Sequence, residues 1–242
     1  MSVNRPFVSC LAGLATALSG CASLRSPRFV EDPARIANVA SGAAGPTVVF
    51  QSGLGDNPRV GGNRDPCTVA RELHGVRQAA NMAPPYLLVS HSLGGIYQYA
   101  FAKHYPDEEG GLCLVDATDL VHWHNLQQRM PAAAAMNKAL RTTVFTGAAR
   151  DELDSQTICL DQLRLWSLPR VPLQLTVRTR YELSELGGVQ KPVEDEQQQW
   201  LTLLRGLARI PVPDSGHYIQ KDHAMVVEQR IHLMLKRVAA AM

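Results

Sequence analysis

Residues 87–95, LLVSHSLGG, constrain the fold of this chain more than any other stretch. A short apolar run leads into a serine and a histidine, and a pair of glycines follows soon after. This order predicts a buried strand that ends in a sharp turn, with a helix starting directly after the turn. Ser90 and Gly94 are small residues on either side of Ser92, which leaves room for a strained backbone at Ser92.

A strand, a sharp turn with serine at its apex and a following helix are together typical of a nucleophile elbow. Such a turn raises the Ser92 hydroxyl above the edge of the sheet. The helix that follows directs the positive end of its dipole at any anion formed there. We therefore predict Ser92 as a nucleophile. The alternative is an ordinary strand-to-helix turn, because so short a pattern also arises by chance.

A serine hydroxyl is a weak nucleophile until a base removes its proton, and His217 is the histidine best placed to do so. It lies in a glycine-containing loop just before the last predicted helix, from which it can reach the edge of the sheet. A carboxylate must then orient the base. Asp116, which ends the predicted strand 111–116, is the first candidate, and Glu182, just past the predicted strand 172–179, is the alternative.

Attack of a serine on a carbonyl carbon creates an oxyanion, which needs backbone N–H donors. We predict the N–H of Leu93, at the start of the helix after the elbow, as one donor. The N–H of Leu54 is predicted as the second, because the glycines on both sides of it let the backbone approach closely. The order Ser92, carboxylate, His217 along the chain matches that of one known type of catalytic triad.

Strand and helix patterns alternate along most of the chain, which predicts a mostly parallel sheet with helices on both faces. Residues 118–168 have no strand pattern and are expected to form a helical lid over the sheet. The chain has 242 residues, of which 45% are hydrophobic, and this fits one globular domain with a full core. We place that domain at residues 28–242.

The elbow around Ser92, the Gly-Leu-Gly-Asp turn at 53–56 and the segment 215–220 before the last helix together resemble the α/β-hydrolase superfamily. The resemblance covers nearly all of residues 28–242 and is greatest to bacterial hydrolases that carry a lid and this type of oxyanion turn. It implies a serine hydrolase that cleaves a carboxylic ester or related acyl bond through an acyl-enzyme, without a cofactor. Serine at the elbow disfavours the dehalogenase and epoxide hydrolase branches, which have aspartate there.

Residues 56–65 depart from the family pattern. Relatives have a further helix and strand between the oxyanion turn and the helix before the elbow, where this chain has only a short segment. We therefore expect one helix and one strand, between the second and third strands, to be missing. The neighbouring strands must then pair with each other or leave backbone edges exposed. The shortened segment also supports an alternative function, that of a degenerate, non-catalytic binding lipoprotein.

The N-terminus has the pattern of a secretory signal, because Arg5 precedes an apolar run at 7–18 that is too short to span a membrane. The run ends in Leu-Ser-Gly-Cys, which resembles the bacterial lipoprotein signal and predicts lipidation of Cys21. Residues 1–20 would then be a removed signal peptide and 21–27 a tether. Alanine after the cysteine favours the outer membrane, so we expect a lipid-anchored protein of the bacterial cell envelope, on the periplasmic side. An ordinary signal peptide with a chance cysteine is the alternative.

Three cysteines lie in the predicted domain. Cys113 is in an apolar run and is expected in the core. Cys67 and Cys159 could form a disulfide in an oxidising periplasm, but their spacing does not decide whether they do. The formal net charge is +2, and no basic stretch is interleaved with aromatic residues, so nothing favours a nucleic-acid partner. No group of side chains has metal-ligand spacing, so we expect no metal site. The expected partner is a small-molecule ester.

Overall fold

A sheet of seven strands forms the centre of the molecule. The strands are β1 (Arg28–Glu31), β2 (Ala37–Ser41), β3 (Thr47–Gln51), β4 (Tyr86–His91), β5 (Glu109–Val115), β6 (Leu173–Arg178) and β7 (Ala208–Val212). They lie side by side in chain order, antiparallel from β1 to β3 and parallel from β3 to β7. The computed structural model on which this description rests covers residues 28–31, 37–41, 46–51, 53, 65–120, 122–132, 134–135, 138–139, 148–160, 163, 171–181, 190–204 and 206–241.

Within the described residues, helices connect the parallel strands, as the alternating sequence pattern predicts, and two more helices follow β7. They are α1 (Pro66–Ala79), α2 (Gly94–His104), α3 (His122–Arg129), α4 (Ala148–Ser155), α5 (Gln190–Leu203), α6 (Ile219–Asp222) and α7 (Ala224–Ala241), with one 3-10 turn at Pro106–Glu108. Helices α3 and α4 both lie within the stretch 118–168. Among the helices of the described ranges, none is both long and apolar enough to cross a membrane. The predicted signal peptide, the tether and Cys21 lie outside the described residues.

The sheet has no strand between β2 and β3, because these two strands pair directly. Ala37 pairs with Gln51 and Ala40 with Val48 in an antiparallel register. The expected loss of one strand is therefore confirmed, and the neighbouring strands have closed the gap by pairing with each other. This arrangement satisfies the backbone of β3 on both sides, since its other edge pairs in parallel with β4. Residues 56–64 lie outside the described residues.

Helix α1 begins at Pro66, directly after Asp65. The side chain of Asp65 accepts hydrogen bonds from the N–H groups of Cys67 and Thr68 at 2.9 and 3.1 Å, and proline occupies the first helical position. Such a cap contributes about 1 kcal/mol to the helix. Val69 and Leu73 are buried in a hydrophobic cluster that includes residues of β4 and α2, and each of these side chains contributes about 2 kcal/mol by leaving water.

The side chains of β4 alternate between two hydrophobic clusters, one on each face of the sheet. Leu88 belongs to the larger cluster with residues of α1, α2 and α5. Leu87 and Val89 belong to the smaller one with residues of α7. All six residues of β4 are buried, as expected for a central strand of a parallel sheet covered on both faces.

A disulfide joins Cys67, in the first turn of α1, to Cys159, just past α4. It connects positions 92 residues apart in sequence. The bond therefore ties the helix that precedes the elbow strand to the stretch 118–168. Cys113 is a free thiol buried in β5, which agrees with its expected place in the core.

Candidate active site

Ser92 lies at the apex of the turn between β4 and α2. Its φ is +54°, and such a left-handed backbone costs a non-glycine residue on the order of 1–3 kcal/mol. Two hydrogen bonds hold the turn. The Ser92 N–H donates to the carbonyl oxygen of Val115 at 3.3 Å, and the Thr118 N–H donates to the Ser92 carbonyl at 3.0 Å. The end of β5 and the residues after it thus fix the serine in its strained position.

Two glycines allow the elbow to pack closely against its neighbours. A Cβ on Gly53 would lie 2.9 Å from the Ser92 Cβ, and a Cβ on Gly95 would lie 2.6 Å from the Ala117 Cβ. Real Cβ atoms do not approach so closely, so both positions require glycine. The sequence pattern draws attention to Ser90 and Gly94, two positions from the serine, and the structure adds close approaches at Gly53 and Gly95.

The imidazole of His217 contacts the serine hydroxyl. Its Nε2 lies 3.0 Å from the Ser92 Oγ, within hydrogen-bond distance, although the two residues are 125 positions apart in sequence. His217 follows β7 in the loop that leads to α6, as the sequence predicts. Its side chain is about one-third exposed, at 31%, so the histidine is accessible from solvent.

Backbone hydrogen bonds hold the loop that carries His217. The N–H groups of Thr179 and Arg180, just past β6, donate to the carbonyl oxygen of Ser215 at 3.1 and 2.9 Å. On the other side, the Gly216 N–H donates to Asp222 Oδ2 at 2.8 Å. The loop is thus attached to the neighbouring strand end and to α6, which limits where the imidazole can lie.

Asp116 completes a chain of three polar side chains. Its Oδ2 lies 2.7 Å from the His217 Nδ1, and because a carboxylate only accepts, the Nδ1–H of His217 donates to it. This leaves Nε2 as the acceptor for the Ser92 hydroxyl. The backbone of Asp116 has a φ of +42°, and its N–H donates to the carbonyl oxygen of Thr176 at 2.8 Å. Of the two candidate carboxylates, Asp116 reaches His217, and Glu182 lies outside the described residues.

Arg178, the last residue of β6, is a neighbour of this site that the sequence analysis missed. Its backbone N–H donates to Asp116 Oδ1 at 3.2 Å, and its Nε lies 3.0 Å from Asp116 Oδ2 in a close ion pair. Both side chains are nearly buried, with 9% and 3% of their surfaces exposed. The guanidinium therefore compensates the charge of a nearly buried carboxylate. One sequence signal could have indicated this contact: Asp116 directly follows β5, Arg178 ends the next strand, and parallel strands end at the same edge of a sheet.

The predicted oxyanion donors are only partly placed. Leu93 directly follows Ser92 and is the N-cap of α2, so its N–H lies at the positive end of that helix. Leu54 lies outside the described residues. The residue before it, Gly53, lies against the serine, since a Cβ there would be 3.4 Å from the Ser92 Oγ.

One group of metal-ligating residue types lies outside this site, formed by Asp65, Cys67 and Cys159. The two sulfur atoms are bonded to each other, and both oxygens of Asp65 accept hydrogen bonds at the start of α1. These atoms are therefore already used by the disulfide and the helix cap.

A parallel sheet covered by helices, with a strained serine after a central strand and a histidine before the last helices, is the α/β-hydrolase fold. Solved structures agree. An esterase from Thermogutta terrifontis is 18% identical with a TM-score of 0.52, and the match covers 78% of each chain. A hydrolase from Pseudomonas aeruginosa is 13% identical with a TM-score of 0.53, covering 86% of this chain and 98% of the other. An enol-lactonase from Burkholderia xenovorans is 14% identical with a TM-score of 0.50, covering 76% and 78%.

These likenesses establish the fold, and the resemblance expected from the sequence is confirmed at that level. No protein-family model matches the sequence, and no curated protein matches it either.

Proposed function

We propose that this protein is a serine hydrolase that cleaves a carboxylic ester or a related acyl bond. The observation that carries the proposal is the continuous hydrogen-bonded chain from Ser92 Oγ through His217 to Asp116, with distances of 3.0 and 2.7 Å. The nucleophile and the base are within the range that proton transfer requires, and the acid is within hydrogen-bond distance of the imidazole that it orients.

In the proposed reaction, the Ser92 oxygen attacks the carbonyl carbon of the substrate, and its proton passes to Nε2 of His217. The carbonyl π electrons move onto the oxygen, and the N–H groups of Leu93 and Leu54 stabilise the resulting oxyanion. When the intermediate collapses, Nε2 gives its proton to the leaving alkoxide, and an alcohol departs from the acyl-enzyme. Water then attacks the acyl carbon, loses a proton to His217 and releases the acid, while the proton returns to Ser92.

Asp116 has two tasks in this scheme. It accepts from Nδ1, which fixes the tautomer that leaves Nε2 free to receive the serine proton. Its negative charge then stabilises the imidazolium that forms during attack. The ion pair with Arg178 keeps the carboxylate in place while His217 changes its charge.

The substrate class is tested by hydrolysis of p-nitrophenyl esters of graded acyl length with the full-length protein. We expect turnover by the wild type and a loss of about 10³-fold or more in kcat for Ser92→Ala. The matched control is Ser90→Ala, because Ser90 is a buried serine of β4, two residues before Ser92, and lies outside the proposed hydrogen-bonded chain. Turnover by Ser92→Ala equal to that of Ser90→Ala would refute the proposal.

The non-catalytic binding lipoprotein remains the competing function, and the shortened segment at 56–65 is the feature that favours it. The hydrogen-bond distance between Ser92 and His217 favours the hydrolase. A folded wild type that turns over no ester and carries no acyl group would support the binding protein.

For the cellular location we propose a lipid anchor on Cys21, which would hold the enzyme at the periplasmic side of the envelope, at the outer membrane. The support is the sequence pattern around Cys21, with an apolar run before it and alanine after it. Metabolic labelling with a fatty acid that carries an alkyne tests it. Label is expected on the wild type and should be lost in Cys21→Ala, and label retained in that variant would exclude the anchor.

A further inference from the structure

His91, which directly precedes the nucleophile, makes a contact that the proposed mechanism does not use. Its side chain is buried on the face of the sheet covered by α7, and its Nε2 lies 2.9 Å from the backbone carbonyl oxygen of His217. The two imidazole rings are close, with centroids 4.6 Å apart. The residue beside the nucleophile is therefore bound to the backbone of the residue that would act as the base.

The contact defines which nitrogen of His91 carries the proton. A carbonyl oxygen only accepts hydrogen bonds, so Nε2 must be the donor. Nδ1 is then an acceptor, and it is buried without a hydrogen-bond partner among the described residues. A Cβ on Gly53 would lie 3.5 Å from this Nδ1, so the ring packs closely against Gly53.

The surroundings of His91 keep its ring neutral. Burial is the main cause that lowers its pKa, to about 4, and the nearby His217 acts in the same direction, as does Lys221. The hydrogen bond to the His217 carbonyl and the charge of Asp116 act in the opposite direction and are weaker. Tyr218 covers the ring from the loop side, with centroids 5.2 Å apart. At neutral pH the ring therefore carries a single proton, which the carbonyl contact places on Nε2.

We propose that His91 is a positioning residue that sets the distance between Ser92 and His217 by holding the His217 backbone through its Nε2–H. This inference rests on the proposed function. His91 and Ser92 share the elbow backbone, so one hydrogen bond links the nucleophile's turn directly to the loop of the base. Without that bond the loop keeps the hydrogen bonds that Ser215 and Gly216 make with the end of β6 and with α6. It loses the hydrogen bond that fixes the His217 backbone to the elbow, and the imidazole can move away from the serine.

Two variants test the proposal. Glutamine and asparagine carry the same amide group, but on side chains of different length. Glutamine places an amide N–H at about the position of the histidine Nε2, whereas asparagine places it at about that of Nδ1. We expect His91→Gln to keep kcat for a p-nitrophenyl ester within about 3-fold, and His91→Asn to lose about 10- to 100-fold, since a shift of about 1 Å can cost roughly 100-fold. KM should change by less than about 2-fold in both, because the substrate contacts are unaffected.

Equal kcat values for the two variants, or a change confined to KM, would overturn the proposal. A measurement that does not depend on activity or on either variant folding is histidine ¹⁵N NMR of the wild-type, full-length protein in detergent. His91 should be protonated on Nε2 alone at about pH 7. That tautomer in a protein without hydrolase activity would refute the proposed function and leave the structural link standing. A proton on Nδ1 in an active enzyme would refute the role of His91 and leave the proposed function standing.

Discussion

Asp116 Oδ2 lies 3.0 Å from the Nε of Arg178, and the same oxygen accepts the hydrogen bond from His217. The acid of the proposed triad thus has a cation on one side and the base on the other. An arginine in this position reduces the cost of burying the carboxylate, since an unpaired buried charge is strongly destabilising. Two predictions depend on this arrangement.

The first prediction concerns the stability that Arg178 contributes. Arg178→Gln should lower the free energy of unfolding by about 3 kcal/mol, because it leaves the buried carboxylate without its cation. Urea denaturation measures the change. Arg180→Gln is the matched control, since Arg180 pairs with Asp222 at a site where the arginine side chain is 53% exposed. Arg180→Gln should lower the free energy of unfolding by less than about 1 kcal/mol. Equal losses for the two variants would contradict the account.

The second prediction separates the two candidate acids. Asp116→Asn should lower kcat by about 10³- to 10⁴-fold, because an amide no longer selects the tautomer with Nδ1–H and no longer stabilises the imidazolium. Glu182→Gln should leave kcat within about 2-fold. The kcat of both variants is measured by steady-state hydrolysis of a p-nitrophenyl ester. A larger loss of kcat in Glu182→Gln would identify Glu182 as the acid.

The third prediction uses the disulfide between Cys67 and Cys159. A cross-link that closes a long loop restricts the unfolded chain, so reduction should lower the free energy of unfolding by about 2–4 kcal/mol. Urea denaturation with and without dithiothreitol measures the effect. The double variant Cys67→Ser, Cys159→Ser should show the lower stability under both conditions, and Cys113→Ala should still respond to the reductant. A free energy of unfolding of the wild type that is the same with and without dithiothreitol would argue against the disulfide.

The fourth prediction concerns pH and the buried carboxyl of Glu109. Burial raises its pKa from 4.5 to about 8, and neither carboxyl oxygen has a hydrogen-bond partner among the described residues. Between pH 4.5 and about pH 8 the carboxyl is ionised in the unfolded chain but still protonated in the folded protein. The free energy of unfolding therefore falls as the pH rises through this range. Glu109→Gln should therefore gain stability relative to the wild type by a few kcal/mol between about pH 5 and pH 8. A difference that stays constant with pH would contradict the assignment.

The parts of this structure that depend on local sequence were predictable. Helix α1 follows from Asp65, a proline and regularly spaced apolar residues, and the turn at Ser92 follows from the small residues around it. The place of Asp116 was predictable because it directly follows β5, the next strand after the elbow helix, and parallel strands end at the same edge of a sheet.

Contacts between distant segments were harder to predict. The pairing of β2 with β3 was one of two outcomes that a missing strand allowed, and the sequence did not choose between them. The ion pair of Arg178 with Asp116 joins residues on neighbouring strands 62 positions apart, and an arginine at a strand end is usually solvated. The link from His91 to the His217 backbone joins residues 126 positions apart, and no sequence pattern around His91 indicates such a partner.

The central claim is that Ser92 is a nucleophile activated by His217. It is tested most directly by treating the full-length protein with a fluorophosphonate, which reacts covalently with activated serines, and locating the adduct by peptide mass spectrometry. We predict one adduct, on Ser92, which is lost in Ser92→Ala, strongly reduced in His217→Ala and retained in Ser90→Ala. An adduct that persists in Ser92→Ala, or a folded wild type that takes up none, would contradict the account.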